Sequence, residues 1–416
     1  MSSVLDNACK RAVSPGTERL LAGMTLAAAG GINDEKLEKE DFLAAYGTFQ
    51  LDASSEPFTT KTPMWFASMT KFVTSVAVLQ CIDRDLFGLE SPSDVDRLLP
   101  EWSQPQILTG FEDGQPKLQK ARGKITAGRL ISHTSGLAYD FHPGLLLQWR
   151  QSRGEGPRAM RGTIPDVFTT PLLFEPGTGW AYGPGHDVAG LMVARANNCT
   201  LEEYMRENIF DVLGMDDTTF EPRAHNGVAA RLPPMVGRPL PDEPLSDETA
   251  SLNNTRNLML DHKDQYGSGG LFSTAEDYLK LLKSILRNDG RILRPETVDT
   301  LFTSTMSPSS DVALNTTLTN PAMAAAMIPG EPMVGSPGTG HWTHSLLGLI
   351  SLTAKEGGLQ AGWTQWGGAP NLKWWIDRKG NSCGIFATQL SPPGEKRHQQ
   401  ITHFFQQEMA TRYGRS

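Results

Sequence analysis

Cysteines and long apolar runs are scarce in this chain of 416 residues. Its four cysteines are scattered and form no Cys-x-x-Cys pair: Cys9, Cys81, Cys199 and Cys383. That usage predicts reduced thiols in a cytoplasmic protein rather than a disulfide-stabilised secreted domain. No apolar run is long enough to cross a bilayer, and the first fifteen residues lack the apolar core of a secretory signal. We therefore expect a cytoplasmic protein with no membrane partner.

Basic charge is also in short supply, with 38 basic against 46 acidic residues and a net charge of −8. Because no basic patch stands out, the sequence argues against nucleic acid as a partner. The one close histidine pair, His341-x-x-His344, lies in a glycine-rich stretch without a third ligand nearby, so we expect no metal and no cofactor. Apolar residues make up 39% of the chain, which permits a sizeable core.

The apolar periodicity predicts strands at both ends of the chain and helices in its middle. The predicted strands cover residues 23–30, 42–51, 64–67, 346–353, 358–366, 371–377 and 382–389. The predicted helices cover residues 4–12, 68–85, 126–133, 143–152, 186–197, 200–213, 274–288 and 395–413. We expect an α+β fold in which the chain leaves and rejoins one antiparallel sheet flanked by helices.

This order of elements predicts a single catalytic domain, 1–416, built from two parts. Residues 1–80 and 266–416 would form the part with the sheet, and residues 81–265 an inserted, mostly helical subdomain. A site between the two parts is expected, because pockets commonly lie there. Two segments rich in breaker residues are predicted to be mostly loop, the second of them mobile and lining the pocket: 222–265 and 304–344.

The stretch Trp65–Lys71 carries the first candidate chemistry, because Ser68 and Lys71 sit at the start of a predicted helix. A spacing of three residues puts both side chains on one face, about a turn apart. A serine hydroxyl becomes a useful nucleophile when a base takes its proton, and a lysine amine can be that base where burial favours its neutral form. The helix N-terminus also offers free N–H groups to a developing oxyanion.

Taken alone, the Ser-x-x-Lys pattern is weak, since about one is expected by chance in a chain of this length. An exposed helix turn is the ordinary alternative. The surrounding residues change that balance, because apolar side chains precede Ser68 and continue through Ile82. They predict a buried helix, and a lysine on the first turn of a buried helix needs a chemical reason.

Two further segments are candidates for the same site. Trp180–Pro184 follows a Pro-Gly turn and can present the Tyr182 hydroxyl to a cleft, where a phenol can relay protons. The ordinary alternative is a half-buried tyrosine with its hydroxyl at the surface. Trp366–Asn371 lies between two predicted strands, and its paired glycines would let a substrate approach backbone N–H groups. The alternative there is a β-bulge.

A competing nucleophile pattern, Gly-x-Ser-x-Gly, occurs at residues 380–384 around Ser382. That motif works at a strand-to-helix turn, with an acid and then a histidine later in the chain. Here it falls in a predicted hairpin and a strand follows. We therefore reject Ser382 as the nucleophile.

Together these motifs resemble the serine β-lactamase/penicillin-binding-protein superfamily in its class C and esterase branch. The resemblance rests on the order and spacing of Ser68–Lys71, Leu130–Leu137, Tyr182-Gly183 and Trp366–Gly368. More narrowly, the chain is similar to the fungal acyltransferases of lovastatin biosynthesis. The supporting stretches are residues 79–81, 95–100, 122–126 and 368–371.

This resemblance implies a β-lactamase/transpeptidase-like fold and a role for each matched residue. Ser68 would be the acylated nucleophile, Lys71 its base, and Tyr182 the proton relay to the alcohol. The backbone N–H groups of Ser68 and Ala369 would form the oxyanion hole. Gly368, Trp366 and a second active-site tyrosine, Tyr139, would line the substrate site.

Two positions depart from the superfamily's pattern. Pro184 stands where the Tyr-x-Asn motif has asparagine, and Trp366 stands where true β-lactamases have the lysine of Lys-Thr-Gly. Since that lysine helps to hold the carboxylate of a β-lactam, its absence argues for a neutral, bulkier substrate. Nearby aromatic residues predict a wide apolar pocket: Phe141, Trp342, Trp363 and Trp366.

The chemistry implied is acyl transfer through an acyl-Ser68 intermediate. The expected donor is a short acyl thioester, either free or carried by an acyl carrier domain of a polyketide synthase. The expected acceptor is a small polyketide-like alcohol. With water as acceptor the same residues would make an esterase, and a catalytically inactive binding protein on this fold is the alternative outside the enzymes. Intact Ser68, Lys71 and Tyr182 argue against the inactive alternative.

Overall fold

The computed structural model describes most of the chain. The described residues are 3–30, 39–140, 144–158, 160–238, 244–247, 253–328, 331, 333–336, 340–355, 357–395 and 397–414. Phe141, one of the predicted pocket aromatics, lies outside them.

Most strands come from the two ends of the chain, as predicted, whereas those at 106–112, 115–120 and 236–237 lie in its middle. The strands are β1 (Gly23–Gly30), β2 (Phe42–Gly47), β3 (Met64–Trp65), β4 (Gln106–Glu112), β5 (Gln115–Lys120), β6 (Val236–Gly237), β7 (Phe272–Ser273), β8 (Trp342–His344), β9 (Leu349–Ser351), β10 (Thr364–Gly368), β11 (Leu372–Asp377), β12 (Ser382–Thr388) and β13 (Leu390–Ser391).

Within the described residues, seven of these strands form one antiparallel sheet in the order β2-β1-β12-β11-β10-β9-β8. The pairing of β1 with β12 is the step at which the chain rejoins the sheet after its helical middle. Trp374 and Trp375 are neighbours on β11 and point to opposite faces. Trp374 packs against Phe72 of the Ser68 helix, whereas Trp375 packs against Phe405 of the C-terminal helix. The sheet is therefore covered by helices on both faces.

The helices fill the space around this sheet and build the second part of the molecule. They are α1 (Ser3–Val13), α2 (Thr70–Asp83), α3 (Pro92–Leu98), α4 (Ala127–Ile131), α5 (Leu145–Ser152), α6 (Ile164–Phe168), α7 (Gly185–Asn197), α8 (Leu201–Met205), α9 (Asp211–Leu213), α10 (Asn253–Leu260), α11 (Ala275–Arg287), α12 (Pro295–Thr300), α13 (Pro308–Thr317), α14 (Pro321–Met327) and α15 (Gln399–Tyr413).

Helix α2 lies at the centre of the molecule, since every residue from Thr70 to Cys81 is buried. A helix that is apolar on all sides belongs in a core, and α2 packs on the sheet through Phe72 and on α7 from the helical part. Helix α11 completes its surroundings, because Tyr278 contacts the Phe72 ring and donates a hydrogen bond of 2.9 Å to the Met69 carbonyl. The first turn of α2 is thereby held between the two parts.

Three predicted segments differ from the structure. Residues 304–344, predicted as a loop, contain α13, α14 and β8. Residues 222–265 contain α10 as well as loops, and the strand predicted at 358–366 begins only at Thr364. Helices α13 and α14 were missed for the same reason. Each has a proline in its first turn, Pro308 or Pro321, preceded by an N-cap residue, Ser307 or Asn320. Proline at a helix start favours the helix, whereas we had interpreted these prolines as breakers.

The arrangement of the sheet and its helices agrees with the prediction. The fold is the expected antiparallel sheet flanked by helices, while the division of the chain at residues 81 and 265 stays a prediction. In the part of the chain that the structure describes, no helix has the length and apolar character needed to span a membrane.

Candidate active site

Ser68 lies in a tight turn that joins β3 to α2. A 3-10 turn, Ala67–Met69, runs directly into α2, and β3 is held by pairing with β7. Ala67 has a φ of 46°, in the left-handed region that L-residues with a side chain rarely adopt. Such a conformation costs about 1–3 kcal/mol and is found where the surroundings enforce it, as at active sites.

Lys71 sits one turn further along α2, as its spacing predicts. Its side-chain nitrogen, Nζ, lies 3.3 Å from Ser68 Oγ and 2.8 Å from the carbonyl oxygen of Ser268. The side chain is only 2% exposed. Because burying a lysine without partners is costly, these two oxygens are what allow it to point at the serine.

Tyr182 completes the group. Its hydroxyl lies 2.6 Å from Ser68 Oγ, and the Lys71 nitrogen sits 4.7 Å from the centre of its ring. The loop that carries it is fixed by backbone hydrogen bonds from Ala181 to the His133 carbonyl and from Tyr139 to the Tyr182 carbonyl. The structure therefore brings Ser68, Lys71 and Tyr182 together; their catalytic roles stay a prediction.

Gly183 is the one position in this loop where only glycine fits. A Cβ added there would lie 2.3 Å from the Leu137 carbonyl oxygen, which is far inside contact distance. The close approach joins the Tyr182 loop to the segment that leads to Tyr139.

Tyr139 lies beside the group, on the far side of Lys71. Its hydroxyl donates a hydrogen bond of 3.0 Å to Ser268 Oγ, and its ring is 5.3 Å from that of Tyr182. Burial raises the pKa of Tyr139 well above its ordinary value, so the phenol keeps its proton. Tyr139 is thus placed to hold or orient a group in the cleft.

The end of strand β10 runs beside the Ser68 turn. A Cβ added to Gly368 would lie 2.5 Å from the Phe66 carbonyl oxygen, so a side chain here would separate the strand from the turn. Ala369, the next residue, is partly buried in the same place. This proximity is what the predicted oxyanion hole of Ser68 and Ala369 requires.

Trp366 packs behind Tyr182 and is 5% exposed. Its ring lies 5.7 Å from that of Tyr182 and stacks at 5.9 Å on His133. The other two tryptophans predicted for the pocket pack on each other. The rings of Trp342 and Trp363 meet edge to face at 5.5 Å. Lys355 and Lys373 lie over Trp363.

Three buried histidines form a layer next to Tyr182: His133, His186 and His344. The His133 ring lies 5.1 Å from both Tyr182 and His186 and 5.5 Å from His344. Burial lowers the pKa of all three imidazoles, that of His344 to about 4, so they are neutral at physiological pH. The motif around His133 marked this segment, but only the fold shows its histidine beside two others.

Sequence reasoning missed two residues of the group, Ser268 and Asp187. Ser268 offers its carbonyl to Lys71 and its hydroxyl oxygen to Tyr139. Asp187 is fully buried on the first turn of α7 and accepts hydrogen bonds from Ser268 N–H at 2.8 Å and Ser268 Oγ at 2.7 Å. The available signal was the run Gly267–Gly270 and an aspartate shortly after Tyr182.

Comparison with known proteins identifies the family to which this chain belongs. A family model described as Beta-lactamase matches residues 38–406, which is most of the chain. The chain belongs to the β-lactamase family. The antiparallel sheet flanked by helices, with α2 buried, agrees with this family.

Relatives of this β-lactamase-family chain include both hydrolytic and transferring enzymes. It is 33% identical over 346 residues to lovastatin esterase from Penicillium rubens, covering 82% of this chain and 83% of that protein. It is also 33% identical over 361 residues to monacolin J acid methylbutanoyltransferase from Aspergillus terreus, covering 86% and 84%. Unliganded simvastatin synthase from Aspergillus terreus superposes with a TM-score of 0.87 at 29% identity, over 99% of this chain and 98% of the other.

The two departures from the β-lactamase pattern have a visible structural effect. Pro184 begins α7, and its carbonyl accepts hydrogen bonds from Asp187 and Val188. Helix α7 therefore starts at Gly185, soon after Tyr182, and its first turn carries Asp187. At the other position, Trp366 supplies an aromatic wall where a lysine would supply charge.

Proposed function

We propose that this protein is an acyltransferase of secondary metabolism. It takes a short acyl group from a thioester or carrier-protein donor onto Ser68 and passes it to an alcohol of a polyketide-like acceptor. The observation that carries the proposal is the group of half-buried Ser68 and Tyr182 with buried Lys71, within hydrogen-bonding distance in a β-lactamase-family chain.

In the first half of the reaction, Ser68 Oγ attacks the thioester carbonyl. Lys71 accepts the serine proton, a C–O bond forms, and the developing oxyanion meets the N–H groups of Ser68 and Ala369. The C–S bond then breaks, and Tyr182 passes a proton to the leaving thiolate. The positions of Lys71 and Tyr182 around one oxygen, at 3.3 and 2.6 Å, suit this transfer.

The second half reverses these roles. The acceptor alcohol enters where the thiol left and gives its proton through Tyr182 as its oxygen attacks the acyl carbon. The bond to Ser68 Oγ breaks, the ester of the acceptor leaves, and Ser68 recovers its proton from Lys71. The same groups serve both halves, so these residues alone do not favour alcohol over water.

Support for the transferase comes from the lining and from the relatives. Trp366 and Tyr139 present aromatic, uncharged surface beside Tyr182, which suits a neutral polycyclic acceptor better than a β-lactam carboxylate. The acyltransferase of Aspergillus terreus matches over 86% of the chain. A thioester on an acyl carrier domain is the donor we propose to test beside a free thioester.

Carboxylester hydrolysis is the second candidate function. The lovastatin esterase of Penicillium rubens is as similar in identity as the transferase, at 33%. Water and an alcohol use the same attack direction on acyl-Ser68, so the balance depends on which of them occupies the cleft.

The test is intact-protein mass spectrometry after mixing with a short-chain acyl thioester, with and without a polycyclic alcohol. Ser68→Ala is the inactive variant. Ser382→Ala is the matched control, because Ser382 is the serine of the competing Gly-x-Ser-x-Gly pattern and is fully buried on β12. We expect an acyl adduct on wild type and Ser382→Ala, and none on Ser68→Ala.

Faster discharge of the adduct by the alcohol than by water supports the transferase. Equal discharge identifies an esterase instead. Absence of any adduct, together with no labelling of the folded protein by a fluorophosphonate, would favour an inactive binding protein on this fold and overturn the proposal.

A further inference from the structure

Asp187 is joined to the proposed catalytic group through one residue, Ser268. The carboxylate accepts the Ser268 N–H at 2.8 Å and the Ser268 hydroxyl at 2.7 Å, one on each oxygen. Ser268 in turn accepts two hydrogen bonds: its carbonyl oxygen accepts from Lys71 at 2.8 Å, and its hydroxyl oxygen accepts from Tyr139 at 3.0 Å. Four hydrogen bonds thus connect Asp187 with both Lys71 and Tyr139.

The loop that carries Ser268 has little freedom apart from these bonds. A Cβ added to Gly267 would lie 2.6 Å from the His186 carbonyl oxygen, so the loop presses directly on the first turn of α7. Ser268 itself is fully buried. Two hydrogen bonds to one carboxylate hold the N–H and the side chain of Ser268 in place, and with them the residue whose carbonyl oxygen accepts from Lys71.

We propose that Asp187 is a positioning residue for acyl transfer, which acts through Ser268 to orient the Lys71 amine and the Tyr139 hydroxyl. The inference rests on the proposed acylation of Ser68. It extends that proposal to Asp187, which contacts neither Ser68 nor Lys71 directly.

The charge on Asp187 sets the direction of this hydrogen-bond chain. An ionised carboxylate only accepts, so the Ser268 hydroxyl donates to it and leaves its own lone pair for the Tyr139 proton. A protonated Asp187 has a hydroxyl of its own to donate. If it donates to Ser268 Oγ, the serine proton must turn towards Tyr139, and the Tyr139 proton must turn into the cleft. Protonation therefore reverses what Tyr139 presents to the substrate.

Charged and titratable groups surround Asp187 on each side. They are Lys71 from α2, Tyr139 from the segment after α4, Tyr266 from its loop, and His186 from α7 itself, with His133 behind it. Burial raises the pKa of both tyrosines and lowers that of both histidines, so these four stay neutral between pH 6 and 8. Burial raises the pKa of Asp187 to about 6, against the opposing effects of Lys71 and Ser268.

The experiment measures the rate of Ser68 labelling by a fluorophosphonate, and of acyl-enzyme formation from an activated short-chain ester, between pH 5 and 8. The variants are Asp187→Asn, which keeps the shape but loses the charge, and Ser268→Ala, which keeps the carbonyl but loses the hydroxyl link. We expect a wild-type rate that falls on the acid side with a midpoint near pH 6. For Asp187→Asn we expect rates about 10- to 100-fold lower above pH 7, in kcat more than in KM, and no such midpoint.

Asp277→Asn is the matched control. Asp277 is also a buried carboxylate, and it accepts the backbone N–H of Asp217 at 2.8 Å and the hydroxyl of Thr218 at 3.1 Å, on the first turn of α11. Asp277→Asn should lower the melting temperature yet keep the wild-type pH profile. Ser268→Ala should flatten the acid side, because it cuts the path from Asp187 to Tyr139.

Two outcomes overturn the inference. The first is a pH–rate profile of Asp187→Asn with the same acid-side midpoint as wild type. The second is an equal loss of acylation rate in Asp187→Asn and Asp277→Asn, with the pH dependence of both variants unchanged. If Asp187→Asn does not fold, an unchanged acid midpoint in Ser268→Ala overturns it alone. A wild-type protein that is never acylated refutes the proposed function instead, so the two failures are distinct.

Discussion

Ser68 and Tyr182 are separated by 114 residues, yet their hydroxyl oxygens lie 2.6 Å apart. Three features produce this contact: the strained turn at Ala67, the exclusion of side chains at Gly183, and the backbone pairing of the Tyr182 loop with the segment from His133 to Tyr139. The proximity matters because either hydroxyl can hold the proton that the other gives up.

Replacing Tyr182 by phenylalanine should slow acylation of Ser68 by about 100-fold or more, since the proton relay is lost while the ring remains. The pre-steady-state burst with an activated ester measures this rate. Tyr413→Phe is the control, because it removes a buried hydroxyl that donates to the Ala28 and Glu40 carbonyls, at the sheet rather than at the site. A Tyr182→Phe burst as fast as that of Tyr413→Phe would remove Tyr182 from the mechanism.

Adding a methyl group at Gly368 should disable the site without touching any side chain in it. The new Cβ would lie 2.5 Å from the Phe66 carbonyl oxygen, so β10 must move away from the Ser68 turn and take Ala369 with it. We expect Gly368→Ala to lower the acylation rate by about 100-fold, as loss of an oxyanion donor does. Gly156→Ala, where no atom lies within 4 Å of the added Cβ, is the control and should behave as wild type. Normal acylation by Gly368→Ala would contradict the assigned hole.

Removing His344 should change how stability depends on pH. Burial lowers the pKa of His344 from 6.5 to about 4, so the folded state binds fewer protons than the unfolded state between these values. Its contribution to stability is complete above pH 6.5 and is lost as the pH falls through 4. The stability gap between wild type and His344→Gln should therefore shrink by about 3 kcal/mol from pH 7.5 to 4.

The gap is measured by urea unfolding at each pH, and the comparison cancels groups common to both proteins. Asp187 is one of these: its raised pKa contributes stability that is present below about pH 4 and lost as the pH rises through 6. A gap that stays constant with pH would show that His344 remains as easily protonated in the fold as in the unfolded chain.

Glu331, in the segment predicted to be a mobile loop, belongs to a buried ion cluster. Glu331 pairs with Lys355 and, at 3.1 Å, with Lys373 of β11. Burial lowers the pKa of Lys373 to about 8, although the charge of Glu331 opposes that shift.

Glu331→Gln should destabilise the protein by about 3 kcal/mol, because it removes the charge of a buried carboxylate that Lys355 and Lys373 share. Acylation per folded molecule should stay unchanged. Denaturant titration measures the loss, and adding Lys373→Met should recover part of it by removing one of the two buried positive charges that face residue 331. A double variant that is no more stable than Glu331→Gln would contradict this account.

The sequence predicted the local part of the site. Ser68 and Lys71 share a helix face because the helical period places residues three apart together, and this holds wherever the helix packs. The strands β11 and β12 and helix α15 were likewise predicted, from apolar periodicity and the hairpin turn between the strands. The missed helices α13 and α14 had local signals too, in Ser307-Pro308 and Asn320-Pro321, which we interpreted as breaks.

Only the tertiary structure decided which distant residues meet. The position of Asp187 shortly after Tyr182 does not by itself show which residue it contacts. Ser268 lies 197 residues from Lys71, yet the contact between Ser268 and Lys71 holds the lysine in place. Such contacts depend on how α2, α7 and the Gly267–Gly270 loop pack, which is a balance summed over the whole core. The sequence by itself determined that Ser68 and Lys71 lie side by side, because their geometry is local. The carboxylate, the histidine layer and the close approach of β10 needed the fold because their geometry is not.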